Sequence, residues 1–170
     1  MEEKYYPANQ ENQGIDSLAG KYLTFALAQE EYGIGILRIK EIIGMMPVTA
    51  VPQTPAYIRG IINLRGKVIP VTDLRLKFGL EAKEETDRTC IIVVEINDDS
   101  RPLIMGLVVD AVSEVANIKG EDIEKTPDFG VRLQSDYIQG MAKSDGRVKV
   151  LLDIDRVLAV DQLAAITAIH

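Results

Sequence analysis

The chain has 170 residues, 46% of them hydrophobic, and a formal net charge of −7. That is apolar material enough for one packed domain or two small ones, and it excludes global disorder. The acidic balance, the lack of Trp and the 5% of aromatics argue against a nucleic-acid surface, and no apolar run reaches the roughly 18 residues that direct membrane insertion needs.

In chain order, residues 1–20 are polar and lack a basic segment followed by an apolar one, so they read as a disordered cytoplasmic tail rather than a secretion signal. Lys21–Ala28 alternates, with Leu23, Phe25 and Leu27 on one face of a predicted strand. Gly33-Ile34-Gly35 reads as a bend. Thr54–Tyr57 reads as a capped turn. GIINLRGKVIPVTDLR (residues 60–75) reads as a hairpin, with Asn63-Leu64-Arg65-Gly66 as a type I turn whose middle pair sits on the outer corner. Asp73 and Asp153 are natural helix N-caps, and short helices are expected over 73–78 and 155–160. Glu81–Asp87 reads as a solvated acidic linker. Cys90–Ile96 is a β-branched run suited to burial on both faces, Asn97–Ser100 a polar hairpin loop, and Pro102–Val109 another strand. Residues 159–170 read as a C-terminal helix.

The chain repeats itself. Residues 57–74 (YIRGIINLRGKVIPVTDL) align without gaps on residues 137–154 (YIQGMAKSDGRVKVLLDI) at an offset of 80. Upstream the match is looser: Gly35-Ile36-Leu37 resembles Gly106-Leu107-Val108, and Ile39–Ile42 resembles Val112–Val115. The repeats span about 21–80 and 86–158. Many short strands in so small a unit point to a small closed barrel, which leaves no edge to aggregate.

Parts for catalysis are missing. The single His is the terminal residue, Cys90 lies within an apolar strand, and no phosphate-binding glycine motif or metal-ligand spacing occurs. No catalytic residue, metal or cofactor is expected. The hairpin tip is the residue pattern left over. Ser144-Asp145 in the second repeat is ordinary turn chemistry, so Leu64-Arg65 in the first exceeds what folding needs. It is either a tolerant turn or a contact with a partner. Phe129, in a turn-like context, is either core or contact.

The stretches YGIGILRIKEI, TPAYIRGIINLRGKVIPVTDLR and IMGLVVDAVSEV resemble the CheW family of chemotaxis coupling proteins, over about Lys21 to Leu158. The resemblance implies a mainly β fold of two intertwined five-stranded SH3-like barrels. It implies a non-enzymatic adaptor that links chemoreceptor tips to the regulatory domain of the histidine kinase CheA, in the cytoplasm beneath membrane-associated receptor arrays. Carried over by position, it implies receptor contacts at Ile39, Gly60, Asn63 and Arg65, with Val109 across the junction between repeats. It implies kinase contacts at Glu41 and Phe129, and an exposed apolar patch at Ile34 and Ile36. A coupling protein of a non-flagellar chemosensory pathway and a small-molecule-binding barrel are the alternative readings.

Overall fold

The two repeats do not build one sheet each. The computed structural model describes residues 18–98, 101–125 and 137–158, so most of the expected tail, Phe129, the loop tip at 99–100 and the C-terminal helix expected over 159–170 lie outside the described residues. The strands are β1 (Gly20–Leu27), β2 (Glu30–Gly35), β3 (Ile39–Gly44), β4 (Ile58–Leu64), β5 (Lys67–Asp73), β6 (Cys90–Asp98), β7 (Arg101–Val109), β8 (Ala111–Ile118), β9 (Ile123–Glu124), β10 (Ile138–Ser144) and β11 (Arg147–Leu152). Short helices α1 (Leu74–Lys77) and α2 (Ile154–Val157) follow β5 and β11.

One sheet has the order β3-β6-β7-β5-β4 and the other β8-β1-β2-β11-β10-β9. The first sheet thus takes β6 and β7 from the second repeat, and the second sheet takes β1 and β2 from the first. The division at 21–80 and 86–158 marks the sequence repeat, not the structural unit. Residues 39–109 form one sheet, and residues before and after them form the other. The chain passes between sheets twice: through the 3-10 turn Ile36–Arg38 and through the single residue Asp110. Order also begins earlier than the expected tail boundary, because Leu18 packs on a core cluster and its carbonyl accepts the Tyr22 hydroxyl at 2.5 Å.

Alternation within strands sorts side chains into three cores. Ile62, Ile69, Val71, Ile91, Val93 and Val108 fill the inside of the β3–β7 sheet. Tyr22, Ile118, Ile123, Ala142 and Leu151 fill the other. The largest cluster lies between the sheets and takes residues from both, including Leu23, Phe25, Leu27, Ile92, Val94 and Val109. Strand β6 feeds two cores, which is why CIIVVEI is apolar without alternation. Both expected N-caps form: Asp73 accepts from the Leu76 N–H at 3.4 Å, and Asp153 from the Asp155 N–H at 3.2 Å. Their backbones are anchored alike, by N–H bonds to the carbonyls of Tyr57 (2.7 Å) and Tyr137 (2.8 Å).

Ion pairs pin both crossings. Arg75 of α1 grips Asp110 through Nε at 2.8 Å and Nη2 at 2.9 Å, and the Ala28 N–H adds a bond to the same carboxylate at 2.8 Å. Arg38 holds Asp155 of α2 through Nη1 at 3.0 Å and Nη2 at 2.6 Å, and the Asn97 N–H donates to Asp155 at 3.0 Å. Burial alone would raise the Asp110 carboxyl, but the Arg75 and Ala28 hydrogen bonds outweigh it and hold it below the ordinary range. Among the described residues Asp73 and Lys149 are the charged residues that are buried outright; the Lys149 side chain is 8% exposed, with Glu31 at 3.3 Å. Its repeat counterpart, Ile69, is an aliphatic core residue.

Two expectations follow. The Arg75–Asp110 side chains are 14% and 16% exposed, between the surface and buried limits, so Asp110→Asn should cost about 2 kcal/mol at neutral pH by denaturant unfolding. The folded pKa lies below the unfolded one, about 3.9, so the wild-type advantage is complete above that value and fades as the pH falls through the lowered folded pKa. An Asp110→Asn deficit independent of pH down to acid unfolding would refute this account. Lys149→Ile, which copies Ile69, should be neutral or stabilising by about 1 kcal/mol, because a desolvated charge is replaced by apolar packing and Glu31 can turn to water; a loss of several kcal/mol would show that the ion pair supports the β2–β11 ladder.

Candidate interaction surface

The β4–β5 hairpin turns more tightly than expected. Leu64 pairs with Lys67, leaving only Arg65 and Gly66 in the loop, and both have positive φ, +53° and +88°. This is the type I′ geometry, whose twist matches the strands it joins. The expected type I turn is therefore replaced, and Leu64 leaves the corner. It ends β4 half-buried against the inner core of its sheet. The second hairpin turns identically on Asp145 and Gly146, at +54° and +74°. Asp tolerates the left-handed region through local hydrogen bonding; Arg has no such relief and pays about 1 kcal/mol. Asn63 serves the turn, its side-chain oxygen accepting the Gly66 N–H at 2.9 Å.

Gly60 serves the backbone. Its φ is +141°, and a Cβ there would lie 2.0 Å from the Thr49 carbonyl oxygen. That close approach permits the bridge between Thr49 and Ile61, with N–H to carbonyl bonds of 2.9 Å in both directions.

The Arg65 guanidinium, 68% exposed, reaches over to form an ion pair with Glu41 on β3. Together with Lys40, Leu64, Lys67, Ile69 and Ile104 they line an open groove of about 350 Å³. Glu41 and Arg65, assigned above to different partners, are thus one pair. Ile39 is half-buried against the shared core.

Two expected contacts are interior. Ile34 has no exposed surface and Val109 almost none; both belong to the core between the sheets. A side chain without surface makes no direct contact with a partner, so neither forms part of an outward patch. Ile36 is half-buried there as well. The exposed apolar residue at this place is Leu37, 94% exposed on the 3-10 turn. The sequence ILRI gives no alternation to single it out. Repeat-related exposed residues also emerge: Val68 with Val148 and Ile42 with Val115. Burial raises the Cys90 thiol, which lowers its thiolate fraction and its reactivity. Among the described residues no group of acidic, His or Cys side chains has the makings of a metal site, and no helix is long and apolar enough to cross a membrane.

A family model for the CheW-like domain matches residues 21–162. The chain is 36% identical over 157 residues to the chemotaxis protein CheW of Klebsiella aerogenes, covering 89% of this chain and 92% of that one. It is 34% identical over 143 residues to the CheW of Rhizobium meliloti, covering 84% and 90%. Among solved structures it superimposes on the scaffolding protein TtCheW of Thermoanaerobacter tengcongensis with a TM-score of 0.75 at 35% identity, covering 85% of this chain and 96% of that one. With this agreement in sequence, length and fold, the chain belongs to the CheW family of non-enzymatic chemotaxis adaptors, which couple receptors to the kinase CheA.

Proposed function

We propose that this chain joins chemoreceptor signalling tips to the regulatory domain of CheA in the cytoplasm beneath receptor arrays, through two separate surfaces. The observation that carries the first surface is Arg65 at φ +53°. Asn or Gly would make the same turn with less strain, so the side chain is kept for what it touches. Its guanidinium offers paired donors to carboxylates and carbonyls, the acceptors that a helical-hairpin tip presents. Asn63 sets the tip's shape, Gly60 lets β4 close on the chain at Thr49 away from the tip, and Glu41 orients the guanidinium while screening its charge. The second surface is apolar and faces the kinase, with Leu37 at its centre and Ile36 beneath it. Phe129 joins this proposal on its sequence context alone.

The finer architecture supports an end-to-end adaptor. We read each sheet as the wall of a five-stranded SH3-like barrel. The support is the same in both: the chain leaving edge strand β3 bridges β4 at Thr49–Ile61, and the chain leaving edge strand β8 becomes β9 and pairs with β10 at Ala142–Ile123. Each edge strand thus bends round to the opposite edge.

Arg65→Asn should keep the fold. It loses an exposed ion pair worth about 0.5 kcal/mol and relieves left-handed strain of about 1 kcal/mol, so the melting temperature should hold or rise slightly. Affinity for a receptor signalling fragment should fall about tenfold, with CheA affinity unchanged. Full receptor affinity in a folded Arg65→Asn protein would reduce the tip to a turn. Leu37→Asp, at a fully exposed position, should change stability by less than about 0.5 kcal/mol and cut CheA affinity at least tenfold, as loss of an apolar anchor does; unaltered CheA binding would remove Leu37 from the interface. Gly60→Ala should lose about 3 kcal/mol or more of stability, because backbone must move. Any binding defect in that variant should track unfolding, and a Gly60→Ala protein of normal stability would contradict the close approach to Thr49.

A further inference from the structure

We infer that the two repeats recognise each other by a charge code: the first repeat carries the cations Arg38 and Arg75, and the second carries the anions Asp110 and Asp155 that receive them. The positions correspond to within one residue: by strand register Asp110 is equivalent to Leu37, the neighbour of Arg38, and Arg38 to Ala111, the neighbour of Asp110. Arg38 immediately precedes β3 and Asp110 immediately precedes β8, strands with the same place in the two sheets. Arg75 and Asp155 are the second residues of α1 and α2, at the repeat offset of 80. At each crossing, the helix of one repeat holds the crossing residue of the other with paired bonds of 2.6–3.0 Å. The geometry is repeated to within one residue and the polarity is reversed.

The reversal matters because β1-β2 and β6-β7 are built alike and could trade places. A repeat paired with its own kind would set Arg75 against Leu37, beside Arg38, or Asp155 against Ala111, beside Asp110. Like charges at a desolvated contact are repulsive, and each would also lack its partner. Only unlike repeats satisfy all four groups. Two further pairs between repeats agree. Lys40 of the first repeat meets Glu95 of the second at 3.1 Å. Lys149 of the second meets Glu31 of the first at 3.3 Å; its sign is the opposite, but by strand register the counterparts of Lys149 and Glu31 are Ile69 and Ile104, so a like pairing would leave the buried ammonium and the carboxylate each opposite an isoleucine. The apolar core between the sheets is non-directional and does not discriminate in this way. The partner that fits each charged face is therefore the complementary repeat, in the same chain or in a second copy of it.

The test uses the full chain and needs no chemotaxis partner. Arg38→Asp/Arg75→Asp makes all four positions acidic, and Asp110→Arg/Asp155→Arg makes all four basic. Each double variant should melt lower than wild type by roughly 10 °C. The fourfold reversal should recover most of that loss, although Asp110 and Asp155 also accept backbone N–H groups that Arg cannot. Unfolded together and refolded as a mixture, the acidic and basic variants should form a species of doubled mass containing both chains, which neither forms alone. A fourfold variant that melts no higher than the doubles, or a mixture that yields only the species each variant gives by itself, overturns the inference.

Discussion

One residue carries the chain from the end of β7 into β8, and that shortness governs the architecture. If β7 stayed with its own repeat, it would take the place of β2, and β6 would separate it from β8. The gap across an intervening strand is about 9.6 Å, while Val109 to Ala111 spans at most about 7 Å. The three-residue turn at Ile36–Arg38 is similarly tight, since a 3-10 turn advances only about 2 Å per residue. Neither hairpin can remain at home. Each is delivered to the other sheet, and the interface between sheets follows from that delivery. The β6 run must then be apolar on both sides, and Val109 must be interior.

Exchange also explains why the largest core belongs to neither sheet alone. A unit of one repeat is too small to bury much apolar surface, and each inner core is correspondingly modest. Burying the outer faces of β1 and β6 against each other adds the missing area. Short crossings, a shared core and the two arginine–aspartate clamps are therefore linked: the first forces the strands together, the second supplies the non-directional stabilisation and the third fixes which faces meet.

Much of this was legible in the sequence, and the failures have physical causes. The duplication, both aspartate caps, the two-faced strand and the many short strands were readable because each depends on local pattern. Which hairpin joins which sheet was not, since β1-β2 and β6-β7 carry equivalent apolar patterns; within one chain the length of the crossings distinguishes the outcomes, and neither that length nor the charges that meet at the crossings shows in a periodicity. Asn63 and Gly66 suit the ends of a type I turn, and nothing in the local pattern shows that Arg65, a poor left-handed residue, takes the first position of a tighter two-residue turn. Ile34, Ile36 and Leu37 are all apolar, and a strand period predicts alternate exposure. Ile34, in β2, and Ile36 lie on the inward side of that alternation and Leu37 on the outward side, but with all three apolar the sequence carries no contrast that tells the two sides apart.

The two hairpin tips show how a duplicated fold divides its labour. Both turn through the same pair of left-handed residues, so the scaffold imposes the same requirement on each. The second tip meets it cheaply with Asp145, and Ser144 ends its strand as a small polar residue. The first meets it with Arg65, whose strain only an interaction offsets, and Leu64 is drawn inward to floor the groove beside Glu41. An intramolecular pair with Glu41 at an exposed site returns about 0.5 kcal/mol, less than the roughly 1 kcal/mol that the left-handed arginine costs. The deficit is small, but it has the sign expected of a residue retained for binding and not for folding. It is confined to one repeat, as it must be if the two ends of the adaptor meet different partners.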